Sequence, residues 1–310
     1  MQQKKLLLAN PRGFCAGVER AIAIVEKALE KFGKPIYVRH EVVHNTFVCN
    51  DLRQKGAIFI ENLEEVPENS IIIFSAHGVS KAVKNQAKQR NLTIFDATCP
   101  LVTKVHLQVN RLRKNNKKII MIGHAGHPEV EGTMGQSEDG GIFLVENSED
   151  VKKLPFADDE NISYVTQTTL SVDDAKQTIL ALQDKFAKLQ APKKDDICFA
   201  TQNRQDAVKK LADVCDLIIV VGSPNSSNSR RLREVALSRN CQAFLIDSKA
   251  EIQTQWLDQY NCIGITAGAS APEYIVKEVV NFIENYLQIK AETLGDGEEN
   301  INFALPKELL

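Results

Sequence analysis

Apolar residues fall along this chain in short β-branched runs, each followed by a small polar turn and then by a stretch with helical spacing. The unit recurs without a strict period in KKLLLANPRGFCAGVERAIAIVEKAL, IIIFSAHGVSKAVKNQAK, LTIFDATCPLVTKVHLQVNRL and KKIIMIGHAGHPEVEGTMG. It returns in ISYVTQTTLSVDDAKQTILALQ, LIIVVGSPNSSNSRRLREVAL and IGITAGASAPEYIVKEVVNFI. Continuous apolar runs predict strands buried on both faces. Their alternation with helices predicts parallel sheets joined by right-handed crossovers. The expected class is therefore α/β. Segment 188–197, KLQAPKKDDI, has no apolar period and reads as a linker, and the tail 291–310 reads as an extended strap.

Open α/β sheets bind ligands beyond the carboxyl ends of their strands. The turns at those ends hold Cys15, His77, Cys99, His127, Thr168, Ser226 and Ser270. By length alone, 310 residues suggest about two domains. With 43% hydrophobic and 25% charged residues the composition is that of a globular protein, and no apolar run reaches the ~20 residues that span a bilayer. A net charge of −2 argues against a general nucleic-acid binder. The start, MQQKKLLLAN, is too short in apolar residues for a signal peptide, so a cytoplasmic protein is expected.

Seven cysteines are scattered without a CxxC pair. A reducing compartment makes a disulfide framework an unlikely use for them. Cys215, Cys241 and Cys262 begin apolar runs and Cys49 lies in an expected helix, so these four read as small core hydrophobes. Cys15, Cys99 and Cys198 differ, because each stands just before a helix beside Gly, Pro, Thr or Ala. Helix-end N–H groups there favour a thiolate. Three such residues suggest ligands gathered from different parts of the fold. Zinc with a fourth ligand and an iron–sulfur cluster with one open iron both fit, and spacing does not separate them.

HEVVH at 40–44 matches a zinc-protease pattern that needs both histidines one helical turn apart. Here it follows a β-branched strand, on which residues 40 and 44 would lie about 13 Å apart. GHAGHPEVEG gathers His124, His127 and Glu129, a spacing suited to a metal or to a proton donor beside an anion site. VGSPNSSNSRRL sets Ser226, Ser227 and Asn228 at a helix start, where N–H groups and hydroxyls can cradle phosphate, and TAGASAPEY repeats the arrangement with Ser270. Five basic residues in RLRKNNKK at 111–118 read mainly as a solvated helix end, with a docking patch for an acidic electron carrier as the sharper option.

Taken in order, ANPRGFCAGVERAI, YVRHEVVHN, FSAHGVS, FDATCPLVTKVH, GHAGHPEVEGTMGQ, TQTTLS, GSPNSSNS and TAGASAP closely resemble the 4-hydroxy-3-methylbut-2-enyl diphosphate reductases (IspH/LytB). The resemblance covers nearly the whole chain. It implies three small α/β domains in a trefoil about a [4Fe–4S] cluster, with segments 17–98, 99–194, 1–16 with 195–288, and a strap 289–310. It assigns Cys15, Cys99 and Cys198 to the cluster. His44, His77, His127, Ser226, Ser227, Asn228 and Ser270 would bind diphosphate. Glu129 and Thr168, with Gln167 alongside, would serve the substrate hydroxyl and its protons. The implied activity is reductive dehydroxylation of the diphosphate to isopentenyl and dimethylallyl diphosphate, the last step of the non-mevalonate isoprenoid pathway. An external carrier such as ferredoxin or flavodoxin would supply electrons to a monomer without nucleic-acid or membrane partners. A cluster-bearing metabolite sensor and a zinc-dependent hydrolase are the alternatives.

Overall fold

Among the described residues, twelve strands and eleven α-helices follow one another in largely alternating order, and every strand pairing is parallel. The computed structural model describes residues 4–156, 161–297 and 299–310. The first third runs β1 (Lys5–Ala9), α1 (Ala16–Phe32), β2 (Ile36–Arg39), α2 (Thr46–Lys55), β3 (Ala57–Ile60), β4 (Ile71–Phe74), α3 (Lys81–Gln89) and β5 (Thr93–Asp96). The middle runs α4 (Pro100–Lys114), β6 (Lys118–Ile122), α5 (Pro128–Met134), β7 (Ile142–Val145), α6 (Ser148–Lys152), β8 (Ile162–Thr166) and α7 (Val172–Lys185). The remainder is α8 (Phe199–Ala212), β9 (Leu217–Val221), α9 (Ser227–Ser238), β10 (Gln242–Ile246), α10 (Thr254–Gln259), β11 (Cys262–Ala267), α11 (Glu273–Leu287) and β12 (Glu292–Leu294).

The chain forms two compact units, and the division falls within α1 and α2. Unit 1 comprises residues 1–18, 44–50 and 199–302. It holds a five-stranded sheet of order β10-β9-β11-β1-β12. Its interior strand β9, LIIVV, is buried at all five positions, so apolar residues must face helices on both sides. One face packs on Val276, Val279 and Ile283 of α11, the other on Val208 and Leu211 of α8 and Leu232 of α9. The tail, read from sequence as a strap, contributes β12 to the edge of this sheet.

Unit 2 comprises residues 19–43, 51–198 and 303–310. It holds two smaller sheets, of order β3-β2-β4-β5 and β7-β6-β8. Strand β8 is buried throughout. Helix α4 lays Val105 and Val109 against Ile119 and Met121 of β6, a stripe set by its 3.6-residue period. The segment read as a linker, 188–197, has no helix, but it is not solvated throughout. Asp196 is buried, accepts from the Thr166 N–H (3.3 Å) and pairs with Lys104 (3.2 Å).

The largest fully buried side chain is a cation, Arg204 on α8. Its Nε and Nη2 donate to Gly13 O (3.0 and 2.8 Å), Nη2 also to Phe14 O (3.1 Å), and Nη1 to Ala200 O (2.9 Å) and the Glu299 carboxylate (3.0 Å). The guanidinium thereby clamps the turn that leads into Cys15. Removing one partner of a buried pair costs roughly 3–5 kcal/mol, because the other charge is left uncompensated. Arg204→Met is expected to lower the unfolding free energy in urea by an amount of that order, whereas exposed Lys176→Met should stay within about 0.5 kcal/mol of the parent. Chemical denaturation followed by circular dichroism checks both.

Candidate active site

Most strands' carboxyl ends hand the chain to a turn and then to a helix whose first N–H groups have no partner inside that helix. In unit 1 three such turns are stitched together. The N–H of Cys15, one residue before α1, donates to Ala269 O (3.2 Å), and the Ala269 N–H donates to Oδ1 of Asn228 (2.9 Å). Ser226 caps α9 by accepting from the Ser229 N–H (3.3 Å). Ser270 donates to His44 O (2.8 Å) and lies 3.4 Å from the Ser226 hydroxyl. This close approach depends on glycine at 222 and 268, because a Cβ at either position would overlap the Ser229 side chain.

Ser227, the first residue of α9, is buried, and its Oγ has no hydrogen-bond partner among the described residues. A buried hydroxyl left without a partner costs roughly 1–3 kcal/mol. Folding alone gives no reason for it, and a bound anion would satisfy it. Thus Cys15, His44, Ser226, Ser227, Asn228 and Ser270, singled out in the sequence, lie together in unit 1.

Unit 2 gathers the others. The Cys99 N–H donates to Ala76 O (2.9 Å), beside His77, and Cys99 caps α4 ahead of Pro100. The His77 and His127 rings meet edge to face with centroids 5.8 Å apart. His127 caps α5, its Nδ1 accepting from the Glu129 N–H (3.1 Å). Glu129 in turn accepts from the Thr168 N–H (2.6 Å) and hydroxyl (2.9 Å). Thr168 O receives the N–H of Cys198 (3.1 Å), which stands one residue before α8.

Burial pushes the Glu129 carboxyl up to about 7 and the Asp196 charge adds to this, while the two Thr168 bonds pull the other way. Near neutral pH the side chain is poised to hold and release a proton. Cys15 behaves differently from expectation. Burial raises its thiol, and this outweighs the Gly17 and Val18 N–H groups and Arg204, which lower it. A helix start alone therefore does not make it a thiolate. Metal bonding would do so outright.

HEVVH is not helical, in line with the sequence reading: His40 follows β2 with a positive φ and pairs with Glu61. His124 turns to Glu146 (3.5 Å), away from the buried His127 and Glu129, so GHAGHPE is not a metal triad. Gln167, next to Thr168, is buried and has local partners. It receives the His124 N–H (3.1 Å) and donates to Thr169 (2.9 Å), holding that loop. Arg113 is committed to Asp139, and Lys117 to Gln190. Among the described residues no three His, Cys, Asp or Glu side chains gather closely enough for a single metal ion. Sequence reasoning missed Arg204 and Asp196, since nothing in RQD or KKDD marks either charge as buried.

None of the seven cysteines is in a disulfide. Three thiols, each one residue before a helix, are a donor set suited to iron–sulfur chemistry. Fold and site together define an α/β protein with polar, anion-ready turns and a buried proton-carrying carboxyl at its strand ends. Residues 6–284 match the LytB protein family, and the chain belongs to it. It is 63% identical over 305 residues to the 4-hydroxy-3-methylbut-2-enyl diphosphate reductase of Dechloromonas aromatica, covering 98% of this chain and 99% of that protein. The reductase of Nitrosomonas europaea is 59% identical, covering 98% and 96%. Among solved structures, the E-1-hydroxy-2-methyl-but-2-enyl-4-diphosphate reductase of Plasmodium falciparum superposes with a TM-score of 0.96 at 43% identity, over 99% of this chain and 97% of that one.

The Glu129 shift has a direct consequence for stability. Between its ordinary 4.5 and about 7 the folded protein holds a proton that the unfolded chain has released. The contribution is full below about pH 4.5 and is lost as pH rises through about 7, in total about 3 kcal/mol. Unfolding midpoints of the parent are expected to decline relative to Glu129→Gln as pH rises from 5 to 8. Parallel profiles would place the carboxyl in an ordinary, ionised state.

Proposed function

We propose that this chain is a 4-hydroxy-3-methylbut-2-enyl diphosphate reductase. The reaction consumes two electrons and two protons, breaks the allylic C–O bond, releases water and leaves isopentenyl or dimethylallyl diphosphate. The observation that carries the proton chemistry is the buried Glu129 carboxyl held by Thr168, with its proton affinity near neutrality. Family membership and near-full-length identity to named reductases carry the substrate.

In this reading Cys15, Cys99 and Cys198 hold a [4Fe–4S] cluster. When bound, the cluster supplies the electrons and an iron that polarises the hydroxyl. The chain's own residues do the rest. Ser226, Ser227, Asn228 and Ser270, with His44, His77 and His127, bind the diphosphate and fix the substrate's orientation. The buried Ser227 hydroxyl, without a hydrogen-bond partner among the described residues, supports this reading. Glu129 gives its proton through the Thr168 hydroxyl to the leaving oxygen, as a positioned general acid. The same reading keeps boundaries at 98/99, 194/195 and 288/289 and a monomer in the cytoplasm. Among the described residues no helix is long and apolar enough to cross a membrane.

Anaerobic turnover with a reduced dye, combined with calorimetry, tests the roles separately. Glu129→Gln is expected to bind substrate normally but turn over roughly 10²–10⁴ times more slowly. Turnover within tenfold of the parent would remove the acid role. Ser227→Ala is expected to weaken substrate binding by roughly ten- to a hundred-fold, one hydrogen bond to a charged group, while unfolding stability is unchanged or higher. Unaltered affinity would move the cradle elsewhere. Product formation by the parent separates the reductase from a metabolite sensor.

A further inference from the structure

Unit 2 carries a cavity of about 790 Å³ that the site above does not use. Its wall brings together Arg20 of α1, Lys104 and Arg111 of α4, and Lys193 and Lys194 of segment 188–197. The one carboxylate on the wall, Asp96, is already engaged by Lys84 (2.7 Å) and Thr98. Arg111, Lys193 and Lys194 are exposed, and among the described residues none of them is in an ion pair. Lys104 is anchored by Asp196 and by the Lys194 and Asp195 carbonyls, which fixes the segment bearing Lys193 and Lys194 beside α4.

A chain of net charge −2 thus concentrates positive charge on one face. Within that face Leu107 stands 65% exposed. An apolar spot ringed by like charges suits a transient protein contact, in which charge steers the encounter and apolar area seats it. Thr98 and Pro100 also line the cavity, so the residue between them, Cys99, is one peptide unit from its wall on either side.

We propose that this face docks an acidic one-electron carrier protein, and that electrons enter the enzyme along the Thr98–Pro100 segment. The location differs from the basic run visible in the sequence. Of that run Arg111 faces the cavity, whereas Arg113 and Lys117 are committed elsewhere. The electron route rests on the reading of Cys99 as a cluster ligand. The choice of an electron carrier as partner rests on the proposed reductase function, whereas the basic wall does not.

The test is carrier binding, measured by surface plasmon resonance with an acidic [2Fe–2S] ferredoxin as probe. The triple variant Arg111→Glu, Lys193→Glu, Lys194→Glu is expected to bind at least tenfold more weakly than the parent at about 0.01 M salt. The two should converge near 1 M, where the screening length shrinks to about 3 Å. Turnover driven by reduced methyl viologen should stay within twofold of the parent. A control that reverses exposed Lys88, Lys176 and Lys188 on the same unit should keep carrier binding within threefold. Equal loss in that control would reduce the effect to net charge and overturn the proposal. So would undiminished ferredoxin binding by the triple variant, or a matching loss with the dye. Inorganic tripolyphosphate bound by the parent and not by the triple variant, with ferredoxin binding unchanged, would make the cavity a small-anion site instead. Retention of full iron in Cys99→Ser would defeat the electron route through Cys99 while leaving the binding result standing.

Discussion

Everything chemical in this protein depends on one constraint, the parallel direction of its strands. When all strands of a sheet run the same way, every carboxyl end meets the same edge, and each must be followed by a crossover helix. Helix starts expose N–H groups in search of acceptors. The edge is thus supplied with donors before any side chain is chosen. Cys15, Cys99 and Cys198 precede such starts, and Ser226 and His127 cap two more. The same geometry sets three of the four remaining cysteines apart, the fourth, Cys49, being buried within α2. Cys215, Cys241 and Cys262 lie at the amino ends of β9, β10 and β11, away from that edge.

Within this frame the protein treats its buried ionisable groups in opposite ways. Arg204 is surrounded by carbonyls and a carboxylate that use its whole guanidinium, so its charge is kept and spent on fixing the Cys15 turn. Glu129 receives two donors, both from Thr168, and has the Asp196 charge nearby. That is too little to offset desolvation, and the carboxyl stays near its titration point. Burial comes first, and bound anions would add to it. His106 is a third case. Burial, with Lys84 next, holds its imidazole down to about 4, so it remains a neutral core side chain on α4.

The α/β class, the parallel sheets and the candidate residues in the turns at strand ends were legible in the sequence. Hydrophobic period, turn chemistry and the position of small residues are local properties, and each strand–turn–helix unit carries its own copy. The motif order added what no single unit contains, a family resemblance and with it a role for each residue. What remained hidden was which polar groups are buried and which partners they meet. Asp196 sits in a run of charges that reads as linker, and Arg204 in a helix of ordinary polarity.

Local pattern by itself determined where backbone turns expose donors and where thiols and hydroxyls could stand among them. Only the tertiary structure decided which of those groups are paired. It turned His124 to Glu146, Gln167 to its own loop and Arg113 to Asp139, and it left the Ser227 hydroxyl without a partner among the described residues. It also assembled Arg20, Arg111, Lys193 and Lys194 into one basic wall from three distant segments. The physical reason is range. Periodicity and capping act over a few residues, whereas burial and Coulomb partners depend on which surfaces close over one another, and no short stretch of sequence records that.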